Sequence, residues 1–286
     1  MTYQEELNIF IKKYPYQTLV SGGGTFRYIL VGGERRPPLV FLNGGMNVSE
    51  MWMRYVENLS EDYRILLFDY PMEFKSNQEL VVGMHKFFED LGLKNPVLIG
   101  ASDGGMIAQI YTQRYSVDVG GLVLISTGGM DEQTLKSLRR KYFFAPIMLW
   151  VMKRCNYEKL KPRLIRAGMH NMPKGSDPKD VAYIQDMFET IFRDYKQEKD
   201  VHISSLLADV MHQMPVTPET FARLKGRILL ILPDKDFFGG EMQKDLVGLM
   251  HDPDIMYISG GHMATILQAD EYIQKIREFC RKTLKL

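Results

Sequence analysis

Apolar and polar positions change period along the chain, and the changes mark its elements. Residues 4–13 place apolar side chains at helical spacing, which predicts a short N-terminal helix. Residues 16–20 and 26–31 are β-type runs joined across Ser21-Gly22-Gly23-Gly24, a hairpin turn. No Lys-Ser or Lys-Thr follows those glycines and no helix opens there, so they are not a phosphate loop. Short, continuous apolar runs then recur at 38–42, 64–68, 96–99, 121–125, 227–232 and 254–258, as expected of strands covered on both faces. Helical patterns separate them: one carrying Trp52, one over 77–91, one from Ser102 to about Tyr115, one over 240–250 and one from about Ala264. Strand–helix alternation of this kind predicts an α/β fold, with right-handed crossovers and a mostly parallel central sheet of about eight strands flanked by helices.

Between 129 and 218 the alternation stops. Helical patterns follow one another at 131–140, 143–155, 157–169, 178–197 and 202–213, punctuated by Pro173, Gly175, Pro215 and Pro218. The chain therefore divides into a core of 1–127 and 219–286 with an inserted helical cap over 128–218. The cap holds eight methionines together with Phe143, Phe144, Trp150 and Phe188. Such stripes are expected to pack against the core, the sharper alternative being a deformable apolar pocket. The basic run Arg139-Arg140-Lys141 is expected to be a solvated face.

Composition narrows the picture by exclusion. A chain of 286 residues, 45% apolar and 25% charged, is long enough for one well-buried domain with an insertion. The net charge of +1 gives bulk electrostatics no reason to favour nucleic acid or an anionic membrane. The longest apolar stretch, 143–152, contains Pro146 and is too short to span a bilayer, so no stable membrane association is expected. Cys155 and Cys280 lie far apart and outside any Cys-x-x-Cys pattern, so neither a disulfide framework nor a zinc site is predicted. The first residues lack the basic-then-apolar layout of a signal peptide, and a cytoplasmic location is expected.

The chemistry centres on Gly100-Ala101-Ser102-Asp103-Gly104-Gly105, where an apolar run meets a helical pattern. A turn so tight tolerates only glycine near its apex, and it lifts Ser102 out at the N-terminus of the next helix. A serine hydroxyl is protonated at neutral pH and needs a base, and the base needs an orienter. Of six histidines, His262 follows the last predicted strand, at the sheet edge where Ser102 also lies. His85 falls within a helix, His251 follows one, and His170, His202 and His212 fall in the cap. Asp234 and Asp236 both follow the 227–232 strand; Asp236 is the better placed to reach a histidine, leaving Asp234 as a turn cap. Ser126 and Thr127 occupy the end of the preceding strand, the other place for an acid. An oxyanion needs preorganised donors, and the backbone N–H groups of Asp103 and of Gly45, in the glycine pair after the 38–42 strand, are the candidates. Asn43, Gly44, Met46, Phe237 and Met263 are expected to line the substrate site. The Asp103 carboxylate has two readings: stabilised by the helix N-terminus, or an anchor for a cationic group on the substrate.

The elbow, the Gly-Leu-Val-Leu-Ile-Ser run at 121–126, the late Asp236 and the Gly-Gly-His at 260–262 resemble the α/β-hydrolase superfamily over nearly the whole chain, in its order Ser102…Asp236…His262. The resemblance implies acyl transfer to water from a small ester, thioester, lactone or activated amide, with carbon–carbon hydrolysis also within the family's range. It calls for no metal and no organic cofactor. An elbow serine argues against epoxide hydrolase and haloalkane dehalogenase relatives, which carry aspartate there. Asn43-Gly44 stands where the family usually has His-Gly, and Asn43 is expected to supply a structural hydrogen bond instead. Asp69-Tyr70-Pro71 replaces the family's usual glycine-rich loop and, with Gly-Ala-Ser, is similar to the maspardin branch. Some members of that branch bind without catalysing, which makes a non-catalytic binding role the alternative expectation.

Overall fold

The computed structural model describes residues 1–173 and 175–284. Eight strands form one sheet: β1 (Gln17–Ser21), β2 (Gly24–Val31), β3 (Pro38–Leu42), β4 (Arg64–Phe68), β5 (Val97–Ala101), β6 (Gly121–Ile125), β7 (Ile228–Pro233) and β8 (Asp254–Ile258). Their spatial order is β1-β2-β4-β3-β5-β6-β7-β8. β2 runs antiparallel to both of its neighbours, and β3 to β8 are parallel. The β1–β2 hairpin turns on Gly22 and Gly23, both at positive φ (56° and 91°), which suits the twist of the paired strands.

The apolar runs of β3 to β6 are continuous because the sheet is covered on both sides. Val40, Leu66, Leu98 and Leu124 face the helices Asn77–Asp90 and Asp103–Tyr115. Their neighbours Phe41, Leu67, Ile99 and Ile125 face Met53–Leu59 and Ala269–Leu284. Period-two alternation thus sorts each strand between two cores instead of between core and water. All the parallel strands end on one edge, and the segments that follow β3, β5, β6, β7 and β8 build the site described below.

Among the described residues five α-helices lie between β6 and β7: Glu132–Lys141, Ala145–Met152, Tyr157–Met169, Pro178–Asp194 and Gln197–Val210. Three details depart from the sequence pattern. The helix expected over 178–197 ends at Asp194, because Tyr195 turns extended (ψ 124°) and its hydroxyl donates to the Met46 carbonyl at 2.7 Å. The next helix consequently starts at Gln197, ahead of the expected His202. The C-terminal helix is broken at Gln268 into Ala264–Leu267 and Ala269–Leu284. No helix among the described residues is long and apolar enough to cross a membrane.

Candidate active site

Ser102 sits between β5 and the Asp103–Tyr115 helix at φ 54°, ψ −124°, a conformation that non-glycine residues avoid. Packing holds it there. A Cβ at Gly100 would collide with the Gly104 carbonyl, and one at Gly104 with the Leu42 carbonyl, so strand and helix meet backbone to backbone. The Ser102 amide donates to Ile125 O at 3.0 Å, and its carbonyl accepts from Thr127 Oγ1 at 2.7 Å. Thr127 is therefore a fastening of the elbow that the sequence reading passed over; its side chain also packs on Gly105.

Of the two acids after β7, Asp236 meets the histidine: its Oδ2 lies 2.9 Å from His262 Nδ1. Its other oxygen accepts from the Phe238 amide at 2.9 Å. Burial opposes ionisation of this carboxyl, but the His262 bond and charge, the Phe238 amide and the nearby Ser126 hydroxyl outweigh it and hold the pKa below its usual value. An ionised Asp236 makes Nδ1 the protonated nitrogen and leaves Nε2 free to accept. Asp234 instead accepts from the Gly260 amide at 2.9 Å, tying the end of β7 to the loop that carries His262. The Phe237 ring lies against the imidazole, centroids 4.3 Å apart. Three of the other five histidines bind elsewhere: His85 to Tyr111 OH, His170 to the Arg166 carbonyl and His202 to the Phe74 carbonyl.

Ser102 and His262 line one cavity of about 490 Å³, with Asp236 behind the imidazole. The two are not hydrogen-bonded to each other, although catalytic hydrogen bonds of unliganded sites often close only around substrate. Gly45 and Asp103 are on the same wall, and their backbone N–H groups have no acceptor among the described residues. Gly44, Met46, Phe237 and Met263 also line the cavity. Asn43 does not. It is buried behind the wall, where Nδ2 donates to Phe68 O at 2.7 Å and the backbone carbonyl accepts from Tyr70 OH at 2.8 Å. Asn47, at φ 48°, completes the brace, with Oδ1 accepting from the Tyr70 amide at 2.8 Å and Nδ2 donating to the Tyr70 carbonyl at 3.1 Å. The Asn43-Gly44-Gly45 loop is thus locked to the Asp69-Tyr70-Pro71 loop. The opposite wall comes from the segment between β6 and β7, including Leu138, Met148, Leu164, Phe188, Phe192 and Met211.

Asp103 turns its carboxylate across Gly45, where an added Cβ would stand 2.6 Å from Oδ2. No donor among the described residues reaches it, and Asp103 lines the cavity. Burial pushes its carboxyl up to about 6, against the pull of His262. Among the described residues no three His, Cys, Asp or Glu side chains are grouped to hold a metal ion.

The sheet order, the strained serine between strand and helix and the acid–histidine pair after the last strands define an α/β-hydrolase-fold protein. Residues 37–172 match the family model described as the alpha/beta hydrolase fold. Among curated proteins, the chain is 30% identical over 137 residues to a proline iminopeptidase of Lactobacillus helveticus, covering 42% of this chain and 46% of that one. It is 29% identical over 110 residues to the human monoacylglycerol lipase ABHD6, covering 35% and 33%. The chain spans about half the length, or less, of the curated relatives it matches. Among solved structures, the enol-lactonase of Burkholderia xenovorans LB400 superposes with a TM-score of 0.73 at 14% identity, covering 92% of this chain and 99% of that one. The relatives are thus named as a peptidase and a lipase, and the chain shares its fold with a lactonase.

Proposed function

We propose that the protein is a serine hydrolase that cleaves a small ester-type acyl substrate through an acyl-enzyme. The observation that carries this reading is the His262–Asp236 pair, 2.9 Å apart, set in the same cavity as a serine held at φ 54°. In the mechanism, Ser102 Oγ attacks the acyl carbonyl while His262 Nε2 takes its proton. Asp236 holds the tautomer and stabilises the imidazolium. The oxyanion settles against the N–H groups of Gly45 and Asp103, the latter at a helix N-terminus. Collapse breaks the bond to the leaving group, which departs with the proton from His262. Water then attacks the acyl-enzyme while His262 Nε2 takes its proton, and that proton passes to Ser102 Oγ as the acyl–oxygen bond breaks, releasing the acid and free Ser102. Residues 128–218 act as the cap that closes the cavity. A cytoplasmic setting fits Cys155 and Cys280, which are unpaired.

The test is labelling by a fluorophosphonate, which reports an assembled nucleophile. The wild type is expected to label, Ser102→Ala to lose labelling, and His262→Ala to slow it strongly. Asp236→Asn is expected to lower kcat on the order of 10³–10⁴-fold, by inverting the tautomer. The unmade Ser102–His262 hydrogen bond favours a second reading, a non-catalytic binding protein of the same fold. Folded protein that stays unlabelled by a small probe, with no ester or thioester turned over, would decide for it.

A further inference from the structure

The sequence pattern led us to expect that Phe143, Phe144 and Trp150 pack inward, and the structure turns them out. Phe143 is 74% exposed, Phe144 68% and Trp150 56%, with Ile147 and Val151 exposed beside them. All lie on or next to the Ala145–Met152 helix, an element apolar along its whole length. An exposed aromatic and aliphatic cluster of this kind marks an interaction surface.

Its flanks identify the partner. Over 133–157 the chain carries Lys136, Arg139, Arg140, Lys141, Lys153 and Arg154 and no carboxylate. None of the six is paired with an acidic side chain among the described residues; Arg139 instead donates to the Met211 carbonyl, and Lys141 and Arg154 lie over the Tyr142 and Trp150 rings. The whole chain has a net charge of +1, so everything outside this segment is net acidic by five. Six cations are thus concentrated beside the protruding aromatic side chains, in a chain that is otherwise net acidic. Trp and Phe between Lys and Arg suit the boundary between headgroups and acyl chains.

We infer that the Ala145–Met152 helix and its basic flanks dock reversibly on an anionic lipid bilayer. This differs from stable insertion, since no described helix can cross a membrane. Met148 and Leu149 of the same helix also line the active-site cavity, so the docking face and the cavity share a wall. That wall would lead an acyl amphiphile from the lipid surface toward Ser102, a consequence that rests on the serine-hydrolase reading. The docking does not rest on it.

Vesicle co-sedimentation tests the inference, using wild type and Ser102→Ala, with phosphatidylcholine vesicles either pure or containing about one-third phosphatidylglycerol. Both proteins are expected to bind the anionic vesicles and not the neutral ones, whatever the fate of the catalytic reading. Trp150 emission should shift to the blue on binding, while Trp52, only 4% exposed, contributes a constant background. The variant Lys136→Gln/Arg140→Gln/Lys153→Gln should bind on the order of 100-fold more weakly. The variant Phe143→Ser/Phe144→Ser should lose at least about tenfold. Both change exposed side chains outside the cavity, and circular dichroism checks their folding. Failure of folded wild type to bind anionic vesicles overturns the inference, as does binding that neither variant weakens. So does a concentration-dependent dimer dissolved by Phe143→Ser/Phe144→Ser, which would give the face to a second copy of the chain.

Discussion

Asp103 holds a charge that the fold does not solvate. Its backbone N–H stands at a helix N-terminus, which alone would favour the carboxylate, yet burial dominates and raises the carboxyl to about 6. The charged side chain thus costs stability in the folded protein. A carboxyl raised in the folded state favours folding below its ordinary, unfolded-chain value of 3.8. That contribution is lost as the pH rises through about 6. Asp103→Asn should therefore stabilise the protein by about 1–3 kcal/mol at pH 8 and change little at pH 4, as read by urea unfolding at both values. Equal destabilisation at both would mean that the carboxylate has donors holding it.

At the level of elements, the elbow depends on close backbone approach more than on any hydrogen bond. Gly104→Ala would drive a Cβ into the Leu42 carbonyl at the β3–β5 junction, where neither partner can retreat. We expect a loss of about 2–4 kcal/mol, seen as an earlier urea midpoint, and displaced Ser102 geometry. Unchanged stability would show that the junction has slack. This part of the site was legible in the sequence because its causes are local: covered strands read as unbroken apolar runs, and a glycine either side of a serine has a steric reason. Strands β3, β4, β6 and β8 accordingly begin and end where the pattern places them. The helices between β6 and β7 were less legible. Apolar periodicity tells that a face is apolar, not whether anything covers it, so inward packing predicted for Phe143 and Trp150 failed while Phe188 is buried. The break at Tyr195 goes with a tertiary partner, the Met46 carbonyl, that no local window contains. Asn43 was misplaced for a similar reason: its neighbours in sequence line the cavity, but its side chain turns toward Phe68 on the next strand.

Across the whole molecule, the segment between β6 and β7 is fastened unevenly. The Gln197–Val210 helix is tied to the core: Asn77 Nδ2 donates to Leu206 O at 2.7 Å, the Asn77 amide donates to Asp209 Oδ2 at 2.7 Å, and Lys199 pairs with Asp69 at 3.4 Å. The Pro178–Asp194 helix is held to the N-terminal helix by the Gln4 amide on Asp186 Oδ2 at 2.9 Å and by Tyr183 OH on Glu6 at 2.6 Å. Among the described residues the protruding Ala145–Met152 helix makes no such bond to the core and is tied at its end alone, where Gln197 Nε2 donates to the Met152 carbonyl, so opening of the cavity should begin there while the other two helices stay seated. His202 makes this seat sensitive to acid. Its ring is buried with Nε2 2.7 Å from the Phe74 carbonyl, and desolvation lowers its pKa, partly countered by that carbonyl. A histidine lowered in the folded state favours folding above its unfolded value of about 6.5, and this contribution fades as the pH falls through that value toward the folded one. Hydrogen exchange at pH 7.5 should therefore run faster over 145–152 than over 197–210. At pH 5.5 the 197–210 amides of the wild type should lose protection, measured against the slower intrinsic exchange rate at that pH, and His202→Gln, whose side chain is uncharged at both values, should show little of that loss. If 197–210 already exchanges as fast as 145–152 at pH 7.5, the seat is not where the polar ties put it.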